Sequence, residues 1–168
     1  MHGNGVAIVD AFVALALERR YDAIRVSDII DHAGVGKSTF YEHFRGKDDV
    51  MLSAMQPIVL ALATAASGRA ARVYIRSVVE HLWERRSVAR PIMDSRAVSI
   101  LQRRLADAIA KHGGRTGADQ ARLAATGIAA AQLAMLRCWL AGHAPATIDA
   151  MTDQLIACSR LNESAPPS

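Results

Sequence analysis

An all-α fold is predicted from three features of the 168-residue sequence. Apolar residues recur at i, i+3, i+4 and i+7, Ala and Leu abound, and no hairpin dipeptide separates alternating β-branched runs. Clusters of Pro, Gly and Ser punctuate this pattern at intervals that suit helices. With 51% of its residues hydrophobic, the chain can bury a core in one compact domain or two small ones.

The first helix is expected over about 5–19, where Ile8, Ala11, Phe12 and Leu15 form one apolar stripe. A short second helix covers 26–32, with Val26, Ile29 and Ala33 on one face. Gly34 then supplies a residue able to take positive φ, and a third helix runs from Gly36 to Phe44. A longer helix is expected over 47–66, interrupted or kinked near Pro57, and "SGRA" at 67–70 ends it. Residues 71–86 repeat the amphipathic pattern through Tyr74, Val78, Val79 and Leu82. "SVARPIMD" reads as a short helical turn, because Pro91 suits only a first turn or a kink. Helices over 96–111, 117–141 and 146–161 follow, separated by the loops "KHGGRTG" and "GHAP", and the tail 163–168 is expected to be disordered.

Bulk properties narrow the function class. No apolar run is expected to reach the length of a bilayer span, and the start carries no basic leader pattern, which points to a cytoplasmic protein. Cys138 and Cys158 lack CxxC or His company and read as packed free thiols. The histidines are dispersed, with no HExxH and no cluster of metal spacing, so no metal, cofactor or catalytic residue is nominated and no enzyme is expected. The formal charge is +4, but residues 1–55 carry six Lys/Arg against eight Asp/Glu. The basic excess therefore lies in the remainder of the chain.

"AGVGKSTFYEHF" at 33–44 admits two readings. A phosphate-binding loop needs G-x-x-x-x-G-K-[S/T] after a buried strand, yet Asp31 stands where the first glycine belongs and no strand precedes it. As a helix-turn-helix the same letters make sense. Phe40 and Phe44, at i and i+4, anchor the third helix against Ile29 and the first stripe. Lys37, Ser38, Thr39, Tyr41 and His43 then fall mostly on the opposite side. Lys37 sits in a first turn, where the helix dipole disfavours a cation unless a polyanion lies there. Lys47, opening the next helix, suits a phosphate.

"YDAIRVSDIIDHAGVGKSTFYEHFRGKDDVM" (21–51) resembles the DNA-binding segment of the TetR family of transcriptional regulators. The matching positions are Tyr21, Val26, Ile29, Ala33, Gly34, Val35, Thr39, Tyr41, His43, Phe44, Lys47 and Val50. The resemblance implies an N-terminal three-helix DNA-binding domain over 1–46 and a helical ligand-binding and dimerisation domain over 47–162. It also implies a homodimer, a double-stranded DNA operator of pseudo-palindromic form and a small-molecule effector, with repression as the expected output. Carried over by position, the DNA-contacting set is Arg25, Ser27, Lys37, Ser38, Thr39, Tyr41, His43 and Lys47. Three positions depart from the pattern. Arg20 stands for a glycine ending helix one, Arg25 for a capping threonine, and Ile30 for a small residue between helices. No Lys or Arg precedes Ile8, so a basic arm is not expected and the salt dependence of DNA binding should be modest. A helical scaffold that has lost specific DNA binding is the alternative.

Less of the C-terminal half is covered by the resemblance. "LAMLRCWLAGHAPATIDAMTDQLI" (133–156) is similar to the family's closing helices. Helical spacing nominates Ile128, Ala131, Trp139, Ile148, Met151 and Leu155 for a dimer seam. Tyr74, His81, Trp83, Met93 and Met135 are the candidates for a ligand pocket between helices.

Overall fold

Helix stripes and their punctuation organise the chain much as the spacing predicts. A computed structural model describes residues 3–112 and 118–158, and every regular element among them is helical. In chain order these are α1 (Gly3–Glu18), a 3-10 turn (Tyr21–Ala23), α2 (Val26–Ala33), α3 (Lys37–His43), α4 (Lys47–Ala54) and α5 (Gln56–Ala66). Then come α6 (Arg72–Glu84), α7 (Arg86–Met93), α8 (Ala97–His112), α9 (Ala118–Leu140) and α10 (Ile148–Ala157). Most of the loop after α8 and the tail 163–168 lie outside the described residues.

The two prolines are accommodated differently. The helix expected over 47–66 is interrupted at Met55, next to the expected site, and Pro57 sits in the first turn of α5 where its missing N–H is tolerated. Pro91 is not in a first turn but is the sixth of eight residues in α7. The loss is confined to one bond, to the carbonyl of exposed Ser87, and Asp94 N–H still closes the last turn on Arg90 at 2.9 Å.

The chain forms two compact units, one running to Gln56 with Ser87–Ile100 added, the other Pro57–Arg86 with the residues from Leu101 onward. The first unit thus extends past 46 and takes in α4, which packs on α1 together with α2 and α3. Ile8, Phe12, Ile24, Ile29, Phe40, Val50 and Met51 are fully buried in it. Their combined transfer from water supplies most of its stability, at about 1.5–3 kcal/mol for each large apolar side chain.

A polar clamp joins α4 to the segment between α1 and α2. Tyr21 is buried, packs edge-on against Phe12 at 6.2 Å, and donates its hydroxyl hydrogen to Asp48. The Lys47 ammonium lies over the Tyr21 ring at 4.6 Å and donates to the carbonyls of Ile24 (2.8 Å) and Tyr21 (2.9 Å). From the residue before α8, Arg96 pairs with Asp22 of the 3-10 turn at 3.1 Å. Burial, reinforced by the bond to Asp48, pushes the Tyr21 phenol well above its usual range. Burial and the Arg96 charge hold the Lys47 ammonium below the lysine range. The segment entering α2 thereby gains partners that its own backbone does not supply.

In the second unit α6 packs on α10. Along their exposed edge Arg72 reaches Asp149 and Asp153 at 3.1 and 2.7 Å, and Arg76 reaches Asp149 and Glu80 at 3.2 and 3.0 Å. Each such exposed pair contributes little alone, because water and salt screen it. Trp83 and Trp139 stack at 4.6 Å, and Trp139 donates its indole N–H to Ala146 at 2.9 Å. That bond pins the loop that leads to Thr147, whose hydroxyl caps α10. Cys138 and Cys158 are free thiols, and burial pushes the Cys158 thiol up.

Lys47→Met keeps the apolar stem of the side chain but leaves the buried Ile24 carbonyl without this donor. It is expected to lower the unfolding free energy by about 1–3 kcal/mol in urea titrations followed by circular dichroism. An unchanged midpoint would show that the clamp contributes nothing to stability.

Candidate nucleic-acid interface

The turn between α2 and α3 is closed by backbone bonds. Gly34 takes the left-handed conformation (φ 65°), its N–H meets Asp31 O at 3.3 Å, and Val35 N–H meets Ile30 O at 3.3 Å. This is a Schellman closure, which favours glycine because a Cβ would be strained at that φ. At the start of α2 the Asp28 carboxylate accepts the Arg25 backbone N–H at 2.9 Å, so the acid three residues on caps the helix from inside. The Arg25 side chain is left exposed, as is Ser27. Asp28 also receives Arg19 at 3.4 Å.

From this turn α3 emerges with one face anchored. Phe40 is fully buried and Phe44 nearly so, their rings 6.1 Å apart. The other face is open. Lys37, Ser38 and His43 are exposed, Thr39 is half-buried, and Tyr41 is 51% exposed with its ring edge-on to Phe40 at 5.3 Å. Phe40 therefore fixes α3 from behind and also orients the outward tyrosine. The structure leaves Lys37, Ser38, Tyr41 and His43 exposed along α3 and Thr39 half-buried, with Tyr41 and His43 on opposite flanks of the helix.

Lys47 is placed differently. Its ammonium is half-buried and bonded to carbonyls of its own chain, including a long contact of 3.5 Å to Asp22 O. Its spacing from the recognition helix was legible in the sequence, but its inward partners were not. The acids follow a similar logic. Asp22, Asp28, Asp48 and Asp49 engage Arg96, Arg19, Tyr21 and Arg45 respectively, so half of the eight acids in residues 1–55 are held by partners. On α3 itself the one acid is Glu42.

The residues nominated for a ligand pocket are divided between the two units. Tyr74 and His81 are exposed on α6, Trp83 is stacked on Trp139, and Met93 is buried in the first unit. Met135 is half-buried on α9. An apolar void does lie in the second unit, walled by residues such as Ile58, Leu62, Val79, Leu82, Leu136 and Leu155, but at about 10 Å³ it holds at most one water. Beside it Gln132 is fully buried. Its amide donates to Leu62 O at 3.0 Å, and its carbonyl oxygen has no partner among the described residues.

The nominated dimer seam is largely spent inside the chain. Ile128, Trp139, Met151 and Leu155 are buried, and Ala131 and Ile148 are half-buried. The outward face of α9 instead shows Leu123, 75% exposed, with Gly127 and Ala134. Against the expectation that no run reaches bilayer length, Asp119–Leu140 is long and apolar enough to cross a membrane, and 44% of its most apolar stretch is buried within the chain.

Comparison with known proteins bears on the first unit most directly. Residues 8–54 match the family model described as bacterial regulatory proteins, tetR family. An uncharacterised HTH-type transcriptional regulator of Bacillus subtilis (strain 168), YwcC, is 42% identical over 50 residues, 30% of this chain and 22% of that protein. The chain thus aligns with about a fifth of that curated relative. A TetR transcriptional regulator from Streptococcus agalactiae 2603V superposes with a TM-score of 0.59 at 20% identity, covering 93% of each chain. The dihydroxyacetone kinase operon activator DhaS superposes with a TM-score of 0.56 at 17% identity over 96% of this chain and 97% of its own. At these identities the two structures share the fold alone. The profile match and the identity over 50 residues show that the first unit is similar, across residues 8–54, to the N-terminal domain of bacterial regulatory proteins of the tetR family.

Proposed function

We propose that the chain is a dimeric, ligand-responsive transcriptional repressor whose α3 reads a pseudo-palindromic operator. The observation that carries the reading is that Lys37, Ser38, Tyr41 and His43 are open to solvent while Phe40 and Phe44 hold the helix from behind. Lysine reaches guanine O6 and N7, serine and threonine pair with several base edges, and tyrosine and histidine have polar ends within reach of phosphate oxygens. Arg25 and Ser27, exposed at the start of α2, add backbone contacts. The partnered acids behind this helix lessen its repulsion of DNA, so the net acidic count of residues 1–55 is no obstacle.

The dimer would form through the outward face of α9. Gly127 lies mid-helix, where glycine costs about 1 kcal/mol relative to alanine, yet a Cβ there would meet nothing within 4 Å among the described residues. A glycine that its own fold does not need fits the close approach of a second copy's helix, and exposed Leu123 and Ala134 continue the same face. An effector would enter the second unit at the Ile58–Leu136 void. Its walls call for an apolar molecule, and its size means the helices must part to admit one. Binding then selects an arrangement different from the operator-bound one, which is how differential affinity would release DNA.

Selection from random duplexes should enrich a palindrome with half-sites about one DNA turn apart. Lys37→Ala and Tyr41→Ala should each weaken binding to it by about 1–3 kcal/mol in fluorescence anisotropy titrations. With two to four phosphate contacts per subunit, the slope of log K against log[salt] should be no steeper than about −8 for the dimer. Absence of enrichment even at low salt would instead indicate a helical scaffold without operator specificity. Gly127→Leu should leave the helical signal intact and shift the mass measured by light scattering from dimer to the 18.0 kDa monomer; a wild-type mass at the monomer value would exclude the dimer.

A further inference from the structure

Between α3 and α4 the donors are distributed in a way the sequence pattern does not suggest. Lys47 directs its ammonium at the carbonyls of Ile24, Tyr21 and, more distantly, Asp22, which uses its hydrogen-bonding capacity within the unit. Two residues earlier, and two past His43, stands Arg45, whose side chain is 92% exposed. Its Nε and its own backbone N–H both donate to Asp49 Oδ2, at 2.9 and 3.1 Å. Held by that edge, the guanidinium keeps its two terminal nitrogens clear of any hydrogen bond or ion pair among the described residues.

This is a pre-set fork. A guanidinium fixed at Nε presents its remaining N–H groups in one plane, matching two oxygens of a phosphate. Ordering by Asp49 before binding reduces the rotamer freedom lost on contact. Resting on the reading of α3 as the DNA-recognition helix, we infer that Arg45, rather than Lys47, holds a backbone phosphate at the α3–α4 junction. Such a contact sets position and carries no sequence information, so its removal weakens every duplex alike.

The test uses the full-length protein, a duplex of mixed sequence and the selected palindrome, titrated across a range of salt concentrations. Arg45→Ala is expected to weaken binding to both duplexes by the same factor, leaving their affinity ratio unchanged. It should also make the slope of log K against log[salt] shallower by about 0.9 per subunit, near two for a dimer. Arg45→Lys, which keeps the charge, should retain the wild-type slope. Lys47→Met, titrated at a temperature where it remains folded, should retain it too. A wild-type slope in Arg45→Ala, or a shallower slope in Lys47→Met alone, overturns the assignment while leaving DNA binding itself standing. A wild-type protein that binds neither duplex removes the reading beneath it, and this assignment falls as well.

Discussion

The reader's geometry depends on what happens at Tyr21 and Lys47. A recognition helix is useful only if its angle to the rest of its unit is fixed, and α2 with α3 reach that angle through the 3-10 turn at Tyr21–Ala23. This turn is too short to hold itself. It is held by Phe12 against the Tyr21 ring, by Asp48 on the hydroxyl and by the Lys47 ammonium on two carbonyls. Burying these groups would be unfavourable if any one lacked its partner, so the cluster favours a single arrangement of α1, α2 and α4. Arg96 extends the cluster to the start of α8 through Asp22.

Much of this unit was legible in the sequence because its determinants are local. The stripe Ile8, Ala11, Phe12, Leu15 is a property of one helix, and all four residues are buried. Gly34 was nominated for positive φ from its neighbours alone and adopts 65°. Phe40 and Phe44 follow from i, i+4 spacing, and the same spacing exposes Lys37 and Tyr41. Lys47 shows where locality ends. Position along α4 suggested a solvent-facing cation, whereas its partners come from carbonyls 23 to 26 residues away. Arg45, by contrast, takes its anchor from Asp49 at i+4, a spacing visible in the sequence but reaching from the loop before α4 into its first turn.

The second unit was legible as helices but not as faces. Every amphipathic helix in a two-sided layer has a stripe, and spacing does not say whether that stripe meets its own chain or another. Ile128, Trp139, Met151 and Leu155 keep seam spacing and are buried internally, with α10 laid against α6. The apolarity left over on α9 is what distinguishes the outward face, and only burial reveals it. The pocket nominations fall in both units for a related reason. Aromatic and histidine side chains attract attention in a sequence, but Tyr74 and His81 face solvent while plain aliphatics wall the void.

Net charge, too, has to be weighed by position. A count of residues 1–55 gives more acids than bases, which argues against a polyanionic partner if every charge is weighted alike. Position changes the weights. Asp28 caps α2 and pairs with Arg19, Asp48 takes the Tyr21 hydroxyl, Asp22 takes Arg96, and Asp49 steadies Arg45. These acids organise the cations and the backbone around α3, and α3 itself contributes one glutamate against an exposed lysine and histidine. What a phosphate meets on approach is the outermost layer of the unit, with charges beyond about 10 Å largely screened at moderate salt. A small reader can therefore be acidic in sum and still present donors where a duplex would lie.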